Sequence, residues 1–125
     1  MPQTLTYDVW MYRDPTLATN LNKQRVVGYE VESIDGSIGK IDDASFETDT
    51  GHIVVDTGPW IFGKKVLLPA GVINNVDLDG RKVYVERTKE EIKNAPEYDE
   101  DTRDKPEYRD DLGTYYGGFY GSGAI

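Results

Sequence analysis

The sequence contains no cysteine and only one histidine, and these absences remove whole classes of chemistry. Disulfides, thiol nucleophiles and thiolate metal sites are excluded. A lone His52 can form neither the usual kind of transition-metal site nor a defensible Ser-His-Asp triad. Beside the Gly51 turn, we expect His52 to face solvent. We assign no catalytic, metal-binding or cofactor-binding residue.

Long apolar runs are also missing. No run approaches the length of about 18 residues that a membrane-spanning helix needs, and the first residues lack a basic-then-apolar signal sequence. We therefore expect a bacterial cytoplasmic protein without a membrane span. The formal charge of −9 disfavours binding to nucleic-acid phosphates. At 125 residues, with 38% hydrophobic and 30% charged residues, the chain suits one acidic, soluble domain.

The middle of the chain, about residues 26 to 86, is punctuated like an antiparallel β domain. Short runs of alternating apolar residues are separated by turn signals, of which Asp35-Gly36 and Asp79-Gly80 are the strongest. Five or six short strands at this spacing predict a small barrel or sandwich. In the first run we expect Val27, Tyr29 and Val31 to share one face.

Three further segments surround these strands. Thr88 followed by Glu91 predicts a capped short helix that ends before Pro96. Residues 1–25 form an arm with Tyr7, Trp10 and Tyr12, which we expect to pack on the barrel or on a second subunit. Residues 96–125 are predicted to be a tail outside the core, because residues 96–111 carry a net charge of −5 and a Gly-rich aromatic stretch follows.

Two motifs suggest chemistry that the surrounding residues do not support. Asp56-Thr57-Gly58 is similar to an aspartic-protease triplet, but it precedes Pro59 and lacks a bracing apolar-apolar-Gly segment further on. A strand that ends in a turn explains it better. Residues 75–86 have EF-hand spacing, yet Lys82 occupies a place that needs an apolar residue, and a β-hairpin explains the same residues.

Recognition is predicted at two places. Three consecutive apolar residues beside a lysine pair cannot all face the interior of a strand, so they form a candidate partner-binding surface: Trp60, Ile61, Phe62, Lys64 and Lys65. In the structural alternative, Trp60 and Phe62 plug the barrel end while the lysines solvate the turn. The second candidate surface is the aromatic tail, with Tyr115, Tyr116, Phe119 and Tyr120 between glycine spacers. Disorder of that tail is the alternative.

The segments "GYEVESIDGSIGKIDDASFE", "VVDTGPWIFGKKVLLP" and "KEEIKNAPEYDED" resemble the PRC-barrel family over roughly residues 25 to 101. This β-barrel domain occurs in the photosynthetic reaction-centre H subunit and in a ribosome maturation factor. The resemblance implies a non-catalytic barrel that docks onto larger assemblies. We expect this chain to have neither the transmembrane helix nor the RNA-associated domain of those two proteins, so a photosynthetic or a ribosome-maturation role is an alternative that only the family suggests.

Together, these observations predict an all-β fold, a small PRC-type β-barrel of five to six antiparallel strands with one short C-terminal helix and extended terminal segments. The barrel domain would cover residues 26–95. The predicted function is that of a protein-interaction or scaffolding module with a protein partner of unknown identity. Self-association, as a homodimer or as a structural or stress-related assembly built by the aromatic tail, is the alternative.

Overall fold

Within the part of the chain that the structure describes, alternating apolar residues and turn signals form six strands, and two α-helices follow them. The computed structural model describes residues 9–12, 26–45, 51–58, 64–102 and 105–120. The strands are β1 (Glu30–Ser33), β2 (Gly36–Ser45), β3 (His52–Asp56), β4 (Lys65–Pro69), β5 (Ile73–Asp77) and β6 (Lys82–Val85). The helices are α1 (Lys89–Lys93) and α2 (Pro106–Gly117).

The strands form one sheet in the order β4-β3-β2-β1-β6-β5. Every neighbouring pair is antiparallel except β1 and β6, which run parallel with Val31 opposite Val83. The predicted number of strands is confirmed, but purely antiparallel pairing is wrong. Among the described residues the ladder is also open rather than closed, since β4 and β5 each have only one neighbour. Local sequence patterns could not predict that β1 pairs with β6, because four other strands lie between them in the sequence.

Strand β2 is long because it pairs with two neighbours, β1 and β3, and bends between them. Its pairing shifts opposite Val31/Glu32 of β1, and shifts again between Ile41 and Asp43 against β3. Such β-bulges bend a strand and increase its twist. Between the two shifts lies Gly39, with φ +145, where a Cβ would collide with the Asp56 carbonyl. The bends therefore curl the sheet around the apolar side chains on its inner face.

The predicted turn motifs form turns in the structure. Asp56 ends β3, and its carboxylate accepts the Gly58 N–H at 3.0 Å, so the Asp-Thr-Gly triplet is a strand end followed by a turn. Residues 73–85 form the predicted hairpin, in which the Asp77 carboxylate accepts the Gly80 N–H at 2.9 Å. The capping box at α1 is also confirmed, with Thr88 and Glu91 bonded reciprocally.

The core includes residues from outside the strands. Val9 is buried, and its carbonyl accepts the Gly71 N–H at 2.7 Å, so the described part of the arm packs on the sheet. His52 is only 7% exposed and lies edge-to-face with Trp10 at 6.5 Å between ring centroids. The prediction that His52 faces solvent is therefore wrong. Val27 is exposed, whereas Tyr29 and Val31 are buried, because the strand begins only at Glu30.

The predicted extended C-terminal tail instead contains the helix α2, which covers 12 of its residues. Pro106 stands in its first turn, a position where proline is well tolerated. Tyr108, Leu112 and Tyr116 recur every four residues, and all three are buried in the main core cluster. The prediction that this segment lies outside the core is wrong. Its acidic residues cover one face of a helix whose other face is apolar.

Candidate functional site

One edge of the sheet, the outer side of β4, carries backbone groups without a strand partner. The Thr57 N–H donates to the Lys64 carbonyl at 3.4 Å, and the Ala70 N–H donates to the Gly51 carbonyl at 2.9 Å. In an antiparallel ladder, bonded and non-bonded residues alternate. Val66 and Leu68 therefore bond to β3, while the backbone groups of Lys65 and Leu67 point away from it. Within the described ranges, no hydrogen bond reaches these outward groups.

A second wall faces this edge and leaves a groove, which we call the β4 groove. Its inner part is a cavity of about 190 Å³ between β4, the end of α1, the segment after α1 and α2. An adjoining, more open part of about 450 Å³ shares Lys64, Lys65, Glu97 and Tyr98 and adds Asp99 and Glu100. The lining of the inner part is mostly apolar and includes Val66, Leu67, Ile92, Ala95, Pro96 and Tyr116.

Charged side chains stand along the rim of the β4 groove. Lys64 forms an ion pair with Glu97 across the groove, and Lys65 Nζ donates to Asp42 Oδ2 at 2.8 Å. The hydrogen bond to Asp42 raises the pKa of Lys65. The lysine pair that looks like a positive patch in the sequence is thus largely neutralised within the chain. The carboxylates of Asp99 and Glu100 leave the outer rim acidic.

Tyr116 lines the inner part of the groove and is 0% exposed. Its hydroxyl, like that of Tyr108, is buried without a hydrogen-bond partner among the described residues. Burial raises the pKa of both phenols, so they remain protonated donors at neutral pH. Leaving a buried hydroxyl without a hydrogen-bond partner costs free energy of folding.

The other aromatic residues of the tail form contacts within their own chain. The Tyr115 hydroxyl donates to the Glu91 carbonyl of α1 at 2.6 Å. The Arg87 guanidinium lies over the Phe119 ring at 4.5 Å and over the Tyr120 ring at 5.1 Å from each centroid. These contacts, partly shielded from water, fasten the end of α2 to the loop before α1.

The structure separates the residues predicted to bind a partner. Lys64 and Lys65 lie at the β4 groove, and Tyr116 lines its inner part. Tyr115, Phe119 and Tyr120 lie with Arg87 instead, and Trp60, Ile61 and Phe62 are outside the described residues. Sequence reasoning missed the groove-lining residues Val66, Leu67, Ile92, Ala95 and Tyr98. Pro69 at the end of β4 was a usable signal, because proline in a strand favours an edge.

The groove offers apolar walls, outward backbone groups and a charged rim, which together suit binding. In the residues that the structure describes, no group of three or more His, Cys, Asp or Glu side chains could hold a metal ion. In the same ranges, no helix has the length and apolarity needed to cross a membrane.

Comparison with known proteins identifies the family. Residues 20–92, more than half of the chain, match the PRC-barrel domain. The chain belongs to the PRC-barrel family. A solved structure described as the 16S ribosomal RNA processing protein RimM of Pseudomonas aeruginosa is similar at 19% identity with a TM-score of 0.48. That similarity covers 57% of this chain and 46% of the RimM chain. No curated protein matches the chain significantly.

Proposed function

We propose that this PRC-barrel protein is a non-catalytic interaction module that docks onto a protein partner through the β4 groove. The observation that carries the proposal is the outer edge of β4, where the backbone groups of Lys65 and Leu67 face a groove instead of a strand. Trp60, Ile61 and Phe62 precede β4 in the sequence, and we propose that they extend the docking surface. That extension rests on their apolar character alone.

The composition of the groove supports docking of a protein segment rather than a metabolite. Small-molecule sites commonly enclose about 300–1,000 Å³, whereas the inner part of the groove measures about 190 Å³ and is itself partly open. The larger part is open and rimmed by charges, as protein-binding surfaces are. One side chain of a partner would fit the enclosed part while its backbone lies in the open part.

A bulky substitution in the groove tests the proposal. Ala95 lines the groove, so Ala95→Trp fills it without removing a core side chain. The matched control is Val27→Trp, which adds the same indole at an exposed position that does not line the groove. Tagged full-length wild type and both variants are used to capture proteins from the native cell, and the captured proteins are quantified by mass spectrometry. Circular dichroism and thermal unfolding check that each variant is folded.

We expect one or more proteins captured by wild type and by Val27→Trp to be lost with Ala95→Trp, by about tenfold or more. A folded Ala95→Trp variant that captures the same proteins in the same amounts would show that the β4 groove is not the docking surface. Adding Trp60→Ala and Phe62→Ala to the wild type tests the proposed extension separately. Unchanged capture by that double variant would remove these residues from the surface.

The aromatic residues that suggested self-assembly through the tail contact their own chain instead. Tyr115, Phe119 and Tyr120 contact α1 and Arg87 of their own chain, and Tyr116 is buried. An assembly through this segment would first have to break those contacts. We therefore do not propose it as a second function.

A further inference from the structure

We infer that the β4 groove binds an extended segment of a second protein as an added β-strand, and that this segment alternates basic and apolar side chains. The inference rests on the proposed function and specifies its mode and ligand. Strand addition to a sheet edge takes affinity from main-chain hydrogen bonds and specificity from pockets for alternate side chains. Both kinds of feature are present beside β4.

The main-chain part comes from Lys65 and Leu67. Because their neighbours bond to β3, each directs its N–H and carbonyl away from β3, and both residues line the groove. Lys65 is partly exposed, whereas Leu67 is only 2% exposed, so an added strand would reach the outward groups of Leu67 only after the covering wall has moved apart. Backbone groups in such surroundings are normally paired. Pro69 has no N–H to offer, so the added strand would pair along the first part of β4.

The side-chain part comes from the enclosed cavity of about 190 Å³. Val66, Ile92 and Pro96 supply apolar walls, and the buried, unpartnered hydroxyl of Tyr116 would supply a donor once the wall opens. Alternate residues of an added strand point to the same side. One of them would therefore enter this cavity, and a side chain with an apolar body and a polar end would satisfy both the walls and the hydroxyl.

Charge favours a basic partner and disfavours a second copy of this chain. Lys64 and Lys65 are paired with acidic residues of the chain itself, so Asp99 and Glu100 make the outer part of the groove acidic, while Lys93 adds a positive charge at the inner part. The whole chain carries −9, so two copies repel each other. Lysine at an exposed strand edge also guards against edge-to-edge pairing of identical chains. A strand with lysine or arginine at alternate positions meets the acidic rim favourably.

A synthetic peptide provides the test. The probe is the blocked heptapeptide acetyl-Lys-Val-Lys-Tyr-Lys-Val-Lys-amide, titrated into the full-length 15N-labelled protein and followed by amide chemical shifts. We expect saturable shifts centred on Lys65 and Leu67, with slower hydrogen exchange at both amides. The same peptide with glutamate in place of every lysine should bind at least about tenfold more weakly, because its charge matches that of the rim.

Variants of the protein and of the peptide both test the role of backbone hydrogen bonds. Lys65→Pro removes one outward N–H at the first residue of β4, a position that tolerates proline, while Lys65→Ala removes the charge and keeps the N–H. Proline should weaken peptide binding about fivefold, since a lost hydrogen bond is worth about 1 kcal/mol, and alanine should not. N-methylation of either the three apolar residues or the lysines of the peptide should abolish binding for one set only, because only alternate residues face the edge.

Each outcome decides one of the two proposals. Strand addition would be overturned if the two N-methylated peptides bind equally, or if the chemical shifts change elsewhere in the protein. It would also be overturned if the glutamate peptide binds as tightly as the lysine peptide. Loss of a native partner with Ala95→Trp, together with no peptide binding, would keep the docking groove and reject the added strand. Peptide binding at Lys65 and Leu67, together with unchanged capture by Ala95→Trp, would support the edge chemistry and reject the docking function.

Discussion

The two edge strands of the sheet, β4 and β5, are protected in different ways against unwanted pairing with other chains. An unpaired strand edge invites pairing with other chains, and proteins protect such edges with bulges, charges or covering segments. At β5 the exposed residues are polar, a bulge displaces the pairing next to Asn74, and the Asn75 side chain accepts the Val76 N–H at 2.9 Å. At β4 the strand is mostly buried, and α2 and the segment after α1 stand over it.

The difference shows which edge is suited to binding. The protection at β5 lies in the strand itself, in its polar side chains and its bulge, so that edge discourages any added strand. The protection at β4 lies in a separate wall, which packs against the strand in the core and leaves the groove beside it. The β4 edge is therefore restricted rather than blocked, because a partner must fit between two walls to reach it. Such restriction would give specificity to an otherwise general backbone interaction.

The largest expected effect concerns α2, which shields the β4 side of the sheet. Leu112→Ala should lower the free energy of unfolding by about 2–5 kcal/mol, because it leaves a cavity in the core. Val76→Ala at the β5 edge should cost about 1 kcal/mol or less, because Val76 is only partly buried. Chemical denaturation of the full-length variants measures both. Equal small losses would mean that α2 is a loosely attached tail and that the β4 side lacks a true wall.

The next largest expected effect is the difference in stability between proline substitutions at two neighbouring residues of β4. Val66→Pro removes a donor to β3 and leaves a buried carbonyl without its partner, so it should cost roughly 1–3 kcal/mol. Lys65→Pro removes an outward donor and should change stability by less than about 1 kcal/mol. Urea unfolding midpoints of the two variants measure the contrast. The opposite ranking would show that β4 pairs with β3 in the other register and that Leu67 does not face the groove.

Much of this arrangement was predictable from local sequence. The turn at Asp35-Gly36 and the capping box of Thr88 and Glu91 depend on residues within four positions of each other, and both were predicted correctly. The buried position of His52 depends instead on Trp10, which is distant in sequence. The parallel pairing of β1 with β6 likewise depends on the path of the whole chain. Local patterns carry no information on such distant contacts.

The candidate site was only partly predictable for the same reason. The lysine pair was visible in the sequence, but its neutralisation depends on Asp42 and Glu97, which lie on other segments. The helix α2 was missed even though Tyr108, Leu112 and Tyr116 have helical spacing. The charged and Gly-rich composition around them suggested a tail, and composition outweighed periodicity. The groove itself exists only after β4, α1 and α2 have come together.

A smaller effect tests the protection of the β5 edge. Asn74→Val with Asn75→Val replaces two exposed polar residues by residues that favour strands. Stability should change by less than about 1 kcal/mol, but light scattering at high protein concentration should increase, because the edge becomes a template for pairing. Asn94→Val at the end of α1 is the control for added apolar surface. Scattering that is equal in the two variants would mean that β5 is not an edge protected by its own polarity.

The smallest expected effect concerns the hydroxyls of two consecutive tyrosines of α2, of which only Tyr116 lines the β4 groove. Tyr115→Phe removes a donor to the Glu91 carbonyl and should cost about 1 kcal/mol of unfolding free energy. Tyr116→Phe removes a buried hydroxyl without a partner, so stability should stay level or rise by up to about 1 kcal/mol. With the lysine-rich peptide bound, Tyr116→Phe should lose part of that advantage, because the hydroxyl then has an acceptor. A loss equal to that of Tyr115→Phe in the free protein would show that the Tyr116 hydroxyl is already satisfied, and the groove would then offer only apolar walls at its inner end.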